Sequence, residues 1–110
     1  MTAVTEFERG STNVYADLGF PDAEEMLRKA ELAFEIGKII KARRWTQQQA
    51  AETMGLSQPK LSELLRGRFR GISETKMLEY LARLGCDVEI VVSAPRLTGA
   101  PGHVALSISA

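Results

Sequence analysis

The sequence predicts an all-α bundle of about five helices, with a helix-turn-helix at its centre and a C-terminal β-strand at its edge. Three observations carry this. Residues 46–67, TQQQAAETMGLSQPKLSELLRG, hold two short helical patterns that meet across Gly55. Apolar residues recur at helical spacing on both sides of that stretch. Residues 86–92, CDVEIVV, alternate with a period of two and are rich in β-branched residues.

The first strong helix runs from about Ala23 to Arg44. Pro21 stops any helix before it, and Asp22 with Glu25 forms a capping-box pattern. Leu32, Ile36, Ile39 and Ile40 mark its buried stripe. Leu27, Phe34 and Gly37 lie partly off that stripe, which implies a second contact or a break near Gly37. Thr46 caps the next helix, about Gln47–Met54, with Gln49 placed to reach back to it. Gly55 makes the turn. Ser57 caps the third helix, about Gln58–Arg66, and Pro59 fits its first turn, where a missing N–H costs nothing. Ala51 is small enough for the two helices to cross closely, and Leu61, Leu64 and Leu65 anchor the second of them. Ser73 caps a further helix to about Leu84, with Met77, Leu78, Leu81 and Leu84 facing inward.

The strand at 86–92 places Cys86, Val88, Ile90 and Val92 on one face and Asp87 and Glu89 on the other. A lone strand leaves its ladder groups unpaired. Pairing with the same strand of a second copy is the simplest remedy, and these four residues are then the dimerisation set. A hairpin with residues 104–108 is the competing remedy. The expected organisation is a flexible N-terminal segment (1–21), a helix-turn-helix domain with its strand (22–92) and a tail (93–110).

A chain of 110 residues makes one domain, and 45% apolar content is ordinary for a globular fold. Net charge is zero, but the charge is unevenly spread. Residues 1–35 carry a net −5, residues 36–70 a net +6 and residues 71–110 a net −1. The basic block coincides with the helix-turn-helix and provides a local footprint for phosphate. The acidic N-terminal third either screens it or faces a basic partner. A single cysteine excludes an intrachain disulfide and fits a reducing cytoplasm. No signal-peptide pattern and no apolar stretch of about 20 residues is visible, so a cytoplasmic location is expected.

These features point to double-stranded DNA. In a helix-turn-helix the second helix enters the major groove with its N-terminal residues at base edges. Those residues are Ser57, Gln58, Pro59, Lys60, Ser62 and Glu63. Gln58 can pair bidentately with adenine, Lys60 can donate to guanine or phosphate, and Glu63 can accept from cytosine. Gln47 opens the preceding helix, where its amide and the free backbone N–H groups suit a phosphate. Arg43, Arg44, Arg66, Arg68 and Arg70 flank the unit as candidate phosphate contacts. The competing reading is a small helical bundle whose polar face is merely solvated. Enzymatic chemistry is not expected. His103 stands alone in the tail, Cys86 has no nearby histidine, and no metal-ligand spacing or phosphate-cradling glycine loop occurs, so no cofactor is implied.

TQQQAAETMGLSQPKLSELLRG resembles the XRE-type helix-turn-helix of phage repressors and Cro-like regulators, which implies a lambda-repressor-like bundle. NVYADLGFPDAEEMLRKAELAFEIGKII ahead of it and LARLGCDVEIVV behind it resemble the HigA-type antitoxins of bacterial toxin–antitoxin operons. The resemblance spans roughly Asn13–Val92. It implies a homodimer that binds its own operator, represses the operon, and neutralises a small RelE/HigB-like toxin. The family's recognition-helix positions fall on Ser57, Gln58, Pro59, Lys60, Ser62 and Glu63, and its phosphate position on Gln47. Ala50 departs from the larger aliphatic residue usual in the motif, and Pro59 removes a side chain that would otherwise read a base. The toxin surface does not transfer residue by residue. The charge and apolar content of the N-terminal segment single out Tyr15, Leu18 and Phe20 as candidate toxin contacts. A stand-alone, prophage-like regulator without a toxin is the alternative expectation, and a module that binds only protein is a third.

Overall fold

The computed structural model describes residue 19 and residues 21–109. Among the described residues there are four helices: α1 (Ala23–Ala42), α2 (Gln47–Met54), α3 (Gln58–Leu65) and α4 (Glu74–Arg83). The expectation of about five helices is therefore corrected to four within this range. α1 packs on α3 and α4, and α2 packs on the same two helices from the other side. Ile36, Met54, Leu61, Leu64, Met77 and Leu84 form the fully buried centre of the core.

α1 runs unbroken through Gly37, so the second contact is what that residue serves. A Cβ there would stand 3.4 Å from Leu65 Cδ2 on α3. Leu32, Ile36 and Ile40 are buried as expected, while Ile39 is only half-buried. The capping box expected at the start of α1 does not form. The Asp22 side chain makes no capping hydrogen bond. Its carboxylate is ion-paired to Arg70, and Glu25 is 3.2 Å from Lys29 Nζ. Two nearby cations outcompete the backbone N–H groups, because charge–charge pairing adds to hydrogen bonding.

The other caps form as their sequences dictate. Thr46 Oγ1 accepts from Gln49 N–H at 3.1 Å, and Gln49 Oε1 accepts from Thr46 N–H at 2.9 Å. Ser57 and Ser73 oxygens accept the N–H groups of Lys60 and Lys76 at 3.3 and 3.0 Å.

The expected strand is also corrected. Residues 86–109 contain no strand, and 86–92 has no ladder partner among the described residues. Strand hydrogen bonds require a second strand, and the described residues do not supply one. The hairpin remedy is not taken either: Val104 O accepts from Arg28 Nη1 at 3.1 Å and Leu106 packs against the core. The tail thus returns to α1 rather than to residues 86–92. Cys86 packs partly against the core, whereas Ile90 and Val92 are 77% and 87% exposed.

Candidate nucleic-acid interface

The interface is built from the turn outward. Gly55 takes the left-handed conformation (φ +83°) that a Cβ would strain. Its N–H and that of Leu56 both donate to Ala51 O, at 2.8 and 3.0 Å. This closes α2 and redirects the chain into α3. Ala50 and Ala51 are both buried, so α2 and α3 approach closely through small side chains. Leu61 and Leu64 pin the inner face of α3 to the core.

The outer face of α3 then presents the predicted residues together. Gln58, Pro59, Lys60 and Glu63 are exposed, and Ser62 is half-buried. Ser57 is exposed too, but its oxygen is already engaged as the α3 cap. The two helix starts meet through one contact: Gln58 Nε2 donates to Gln47 Oε1 at 2.9 Å. This hydrogen bond consumes one Gln58 N–H. It leaves that amide a second N–H and its carbonyl oxygen, the pair needed for an adenine edge. It also leaves the Gln47 NH₂ group to donate outward. Two side chains eleven residues apart in sequence therefore form one polar unit at the exposed end of the motif.

The flanking cations divide into two sets. Arg44, Lys60, Arg66 and Arg68 are exposed and make no ion pair among the described residues. They supply the positive field beside α3. Arg43 and Arg70, also expected as phosphate contacts, are exposed and in addition hold the scaffold. Arg43 Nη2 donates to Leu84 O at 2.7 Å and its guanidinium lies 5.0 Å from the centre of the Trp45 ring. It thereby satisfies a terminal carbonyl of α4 and locks the approach to α2. Arg70 pairs with Asp22.

The sequence reading missed what holds the basic loop 66–71. Phe69, read only as an aromatic among arginines, is buried to 2%. Lys29, on the inner face of α1, donates from Nζ to Arg70 O at 3.0 Å. Its position three residues after Met26 and four before Ala33 was the available signal, because both neighbours are core residues. Burial pushes the Cys86 thiol above its ordinary pKa, with Glu35 adding to the effect and Arg43 opposing it. The candidate toxin contacts Tyr15, Leu18 and Phe20 lie outside the described residues.

Two short helices crossing at alanines and joined by a left-handed glycine define the class: a helix-turn-helix protein. The chain belongs to the family described as "Helix-turn-helix domain", whose model matches residues 14–93. It is also similar to a solved structure described as a "Putative XRE Family Transcriptional Regulator", at 32% identity and a TM-score of 0.71. That match covers 81% of this chain and 100% of the other. The protein is thus an XRE-type helix-turn-helix regulator. A search of curated proteins found no match. Among the described residues, no helix is long and apolar enough to cross a membrane.

Proposed function

We propose that the chain is a sequence-specific transcriptional repressor that reads operator DNA with α3. The observation that carries this is the Gln58–Gln47 unit at the start of α3, beside exposed cations that make no ion pair among the described residues. Gln58, Lys60, Ser62 and Glu63 read base edges. Ser57 and Pro59 shape the start of the helix. Gln47, Arg66 and Arg68 contact phosphates, with Arg70 as a weaker contributor because Asp22 holds it. Two copies pair through Cys86, Val88, Ile90 and Val92. This supplies the missing ladder and sets two recognition helices about one DNA turn, ~34 Å, apart.

The finer reading is an antitoxin that represses its own operon and neutralises a RelE/HigB-like toxin. Its support is the resemblance of the NVYADLGFPDAEE and GCDVEIVV flanks, together with the net −5 charge of residues 1–35. In this reading Tyr15, Leu18 and Phe20 contact the toxin. Co-expression with the adjacent gene tests it: a small basic protein co-purifies with this chain if the antitoxin reading holds. If no neighbouring product is retained, the stand-alone regulator takes its place.

A further inference from the structure

Lys29 carries a buried charge: the residue is 3% exposed. Its Nζ lies 3.2 Å from Glu25 and donates to Arg70 O at 3.0 Å. Glu25 is half in solvent, so that pair alone does not offset the desolvation of an ammonium. A methionine on the same stripe of α1 would be buried without that cost. What the ammonium adds is a hold on a loop backbone 41 residues away.

The loop it holds is the basic one, 66–71. Its first half is tied to α3: the N–H groups of Arg66 and Arg68 both donate to Glu63 O, at 3.1 and 2.9 Å. Its second half is tied to the body of the fold by the buried Phe69 and by the Lys29 bond. Gly67 and Gly71 give the loop much conformational freedom to lose on ordering. Arg68 stands between the two sets of ties, exposed and without an ion pair among the described residues.

We propose that Lys29 is a positioning residue for DNA-backbone binding: its bond to Arg70 O fixes the loop so that Arg68 is presented to a phosphate. This rests on the reading of the basic loop as a phosphate contact and deepens it. Lys29 does not make the contact itself, because burial keeps its ammonium from any ligand. It acts through the main chain. A bond to a backbone carbonyl restrains the path of the chain, here two residues from Arg68. The Arg70 side chain, ion-paired to Asp22, tethers the same residue a second time. A loop arranged before DNA arrives has little left to lose on binding. Ordering one long side chain at the moment of binding instead costs about 2- to 12-fold in affinity.

Lys29→Met keeps most of the apolar stem and removes the ammonium. Its binding is measured by anisotropy in the full chain, alone and paired with Arg68→Ala or with Gln58→Ala. The probes are a duplex selected from a random pool by the wild-type chain and a scrambled duplex. Lys29→Met weakens binding to both by about 2- to 12-fold, and its salt slope falls toward that of Arg68→Ala. In the Arg68→Ala background it costs nothing further, whereas on the selected duplex its effect multiplies in full with that of Gln58→Ala. A missing charge acting at a distance, or a general loosening of the fold, is felt equally in both backgrounds, and that result overturns the proposal. So does unchanged binding by Lys29→Met. The free wild-type chain gives a second test that needs no substitution. Heteronuclear NOE values at the Arg68, Phe69 and Arg70 amides match those of α3, and values well below them overturn the proposal. If the wild-type chain binds neither duplex, the DNA reading itself fails and takes this proposal with it. Wild-type binding with full additivity of Lys29→Met and Arg68→Ala sinks the proposal alone.

Discussion

Truncating Gln58 and Gln47, singly and together, is the perturbation that bears most on how α3 reads DNA. The magnitude follows from their contact. A bidentate glutamine–adenine pair discriminates by ~1–3 kcal/mol, so Gln58→Ala weakens the cognate site by about 5- to 150-fold. Gln47→Ala removes a phosphate donor and also frees the Gln58 amide to rotate. The net value of the 2.9 Å hydrogen bond between them sets this second part. A neutral hydrogen bond contributes about 0.5–1.5 kcal/mol. In the Gln58→Ala background only the phosphate part remains to be lost. The double variant is then less impaired than the product of the two single effects, by about 2- to 12-fold. The assay is fluorescence anisotropy on a duplex selected from a random pool by the wild-type chain. Both residues lie at the surface of the motif, so their melting curves should stay within about 0.5 kcal/mol of wild type. Additive losses, within about 0.3 kcal/mol, would refute the idea that Gln47 orients Gln58.

Three further outcomes follow from the same geometry. Gly37→Ala stabilises the protein by up to about 1 kcal/mol in urea unfolding, because alanine favours the helix interior and its Cβ meets Leu65 at ordinary contact distance; a loss of stability would show that the α1–α3 approach is tighter than it looks. Arg68→Ala weakens binding to every sequence alike and lowers the salt slope by about 1, and a sequence-dependent loss in gel shifts across salt would contradict this. The raised Cys86 pKa depletes the reactive thiolate until pH passes that pKa, so iodoacetamide modifies the native chain near pH 8 more slowly than the urea-unfolded chain. Equal rates would mean the thiol is not shielded.

What was legible in the sequence was local. Thr46 with Gln49, Ser57 with Lys60 and Ser73 with Lys76 are caps written within three residues, and each is present. The turn at Gly55 and the anchors Leu61 and Leu64 are equally local, and they carried the family assignment. What failed depended on distant partners. Asp22 has the residue type and spacing of a cap, yet its carboxylate is held by Arg70, 48 residues away. The contact of Arg43 with Leu84 O, 41 residues away, was equally out of reach of a local reading. Lys29 shows its core position in its spacing, but its partner Arg70 O lies 41 residues away, and Phe69 is buried by contacts that its own loop does not reveal. The segment at 86–92 has the β-branched residues of a strand but is not one, since a ladder belongs to a pair of strands and the pattern of one cannot provide the other. The Gln58–Gln47 contact lies between these cases. Both residues were singled out separately, but only the crossing of α2 and α3 joins them.

The central claim is that α3 reads DNA in a sequence-dependent way. Anisotropy of the full chain on DNA from upstream of its own gene, against a scrambled duplex of equal length, measured from low to moderate salt, tests it most directly. The account predicts binding that weakens steeply with salt on both duplexes, with the upstream site retained at salt that releases the scrambled one. Binding that is absent, insensitive to salt, or equal on the two duplexes would contradict it.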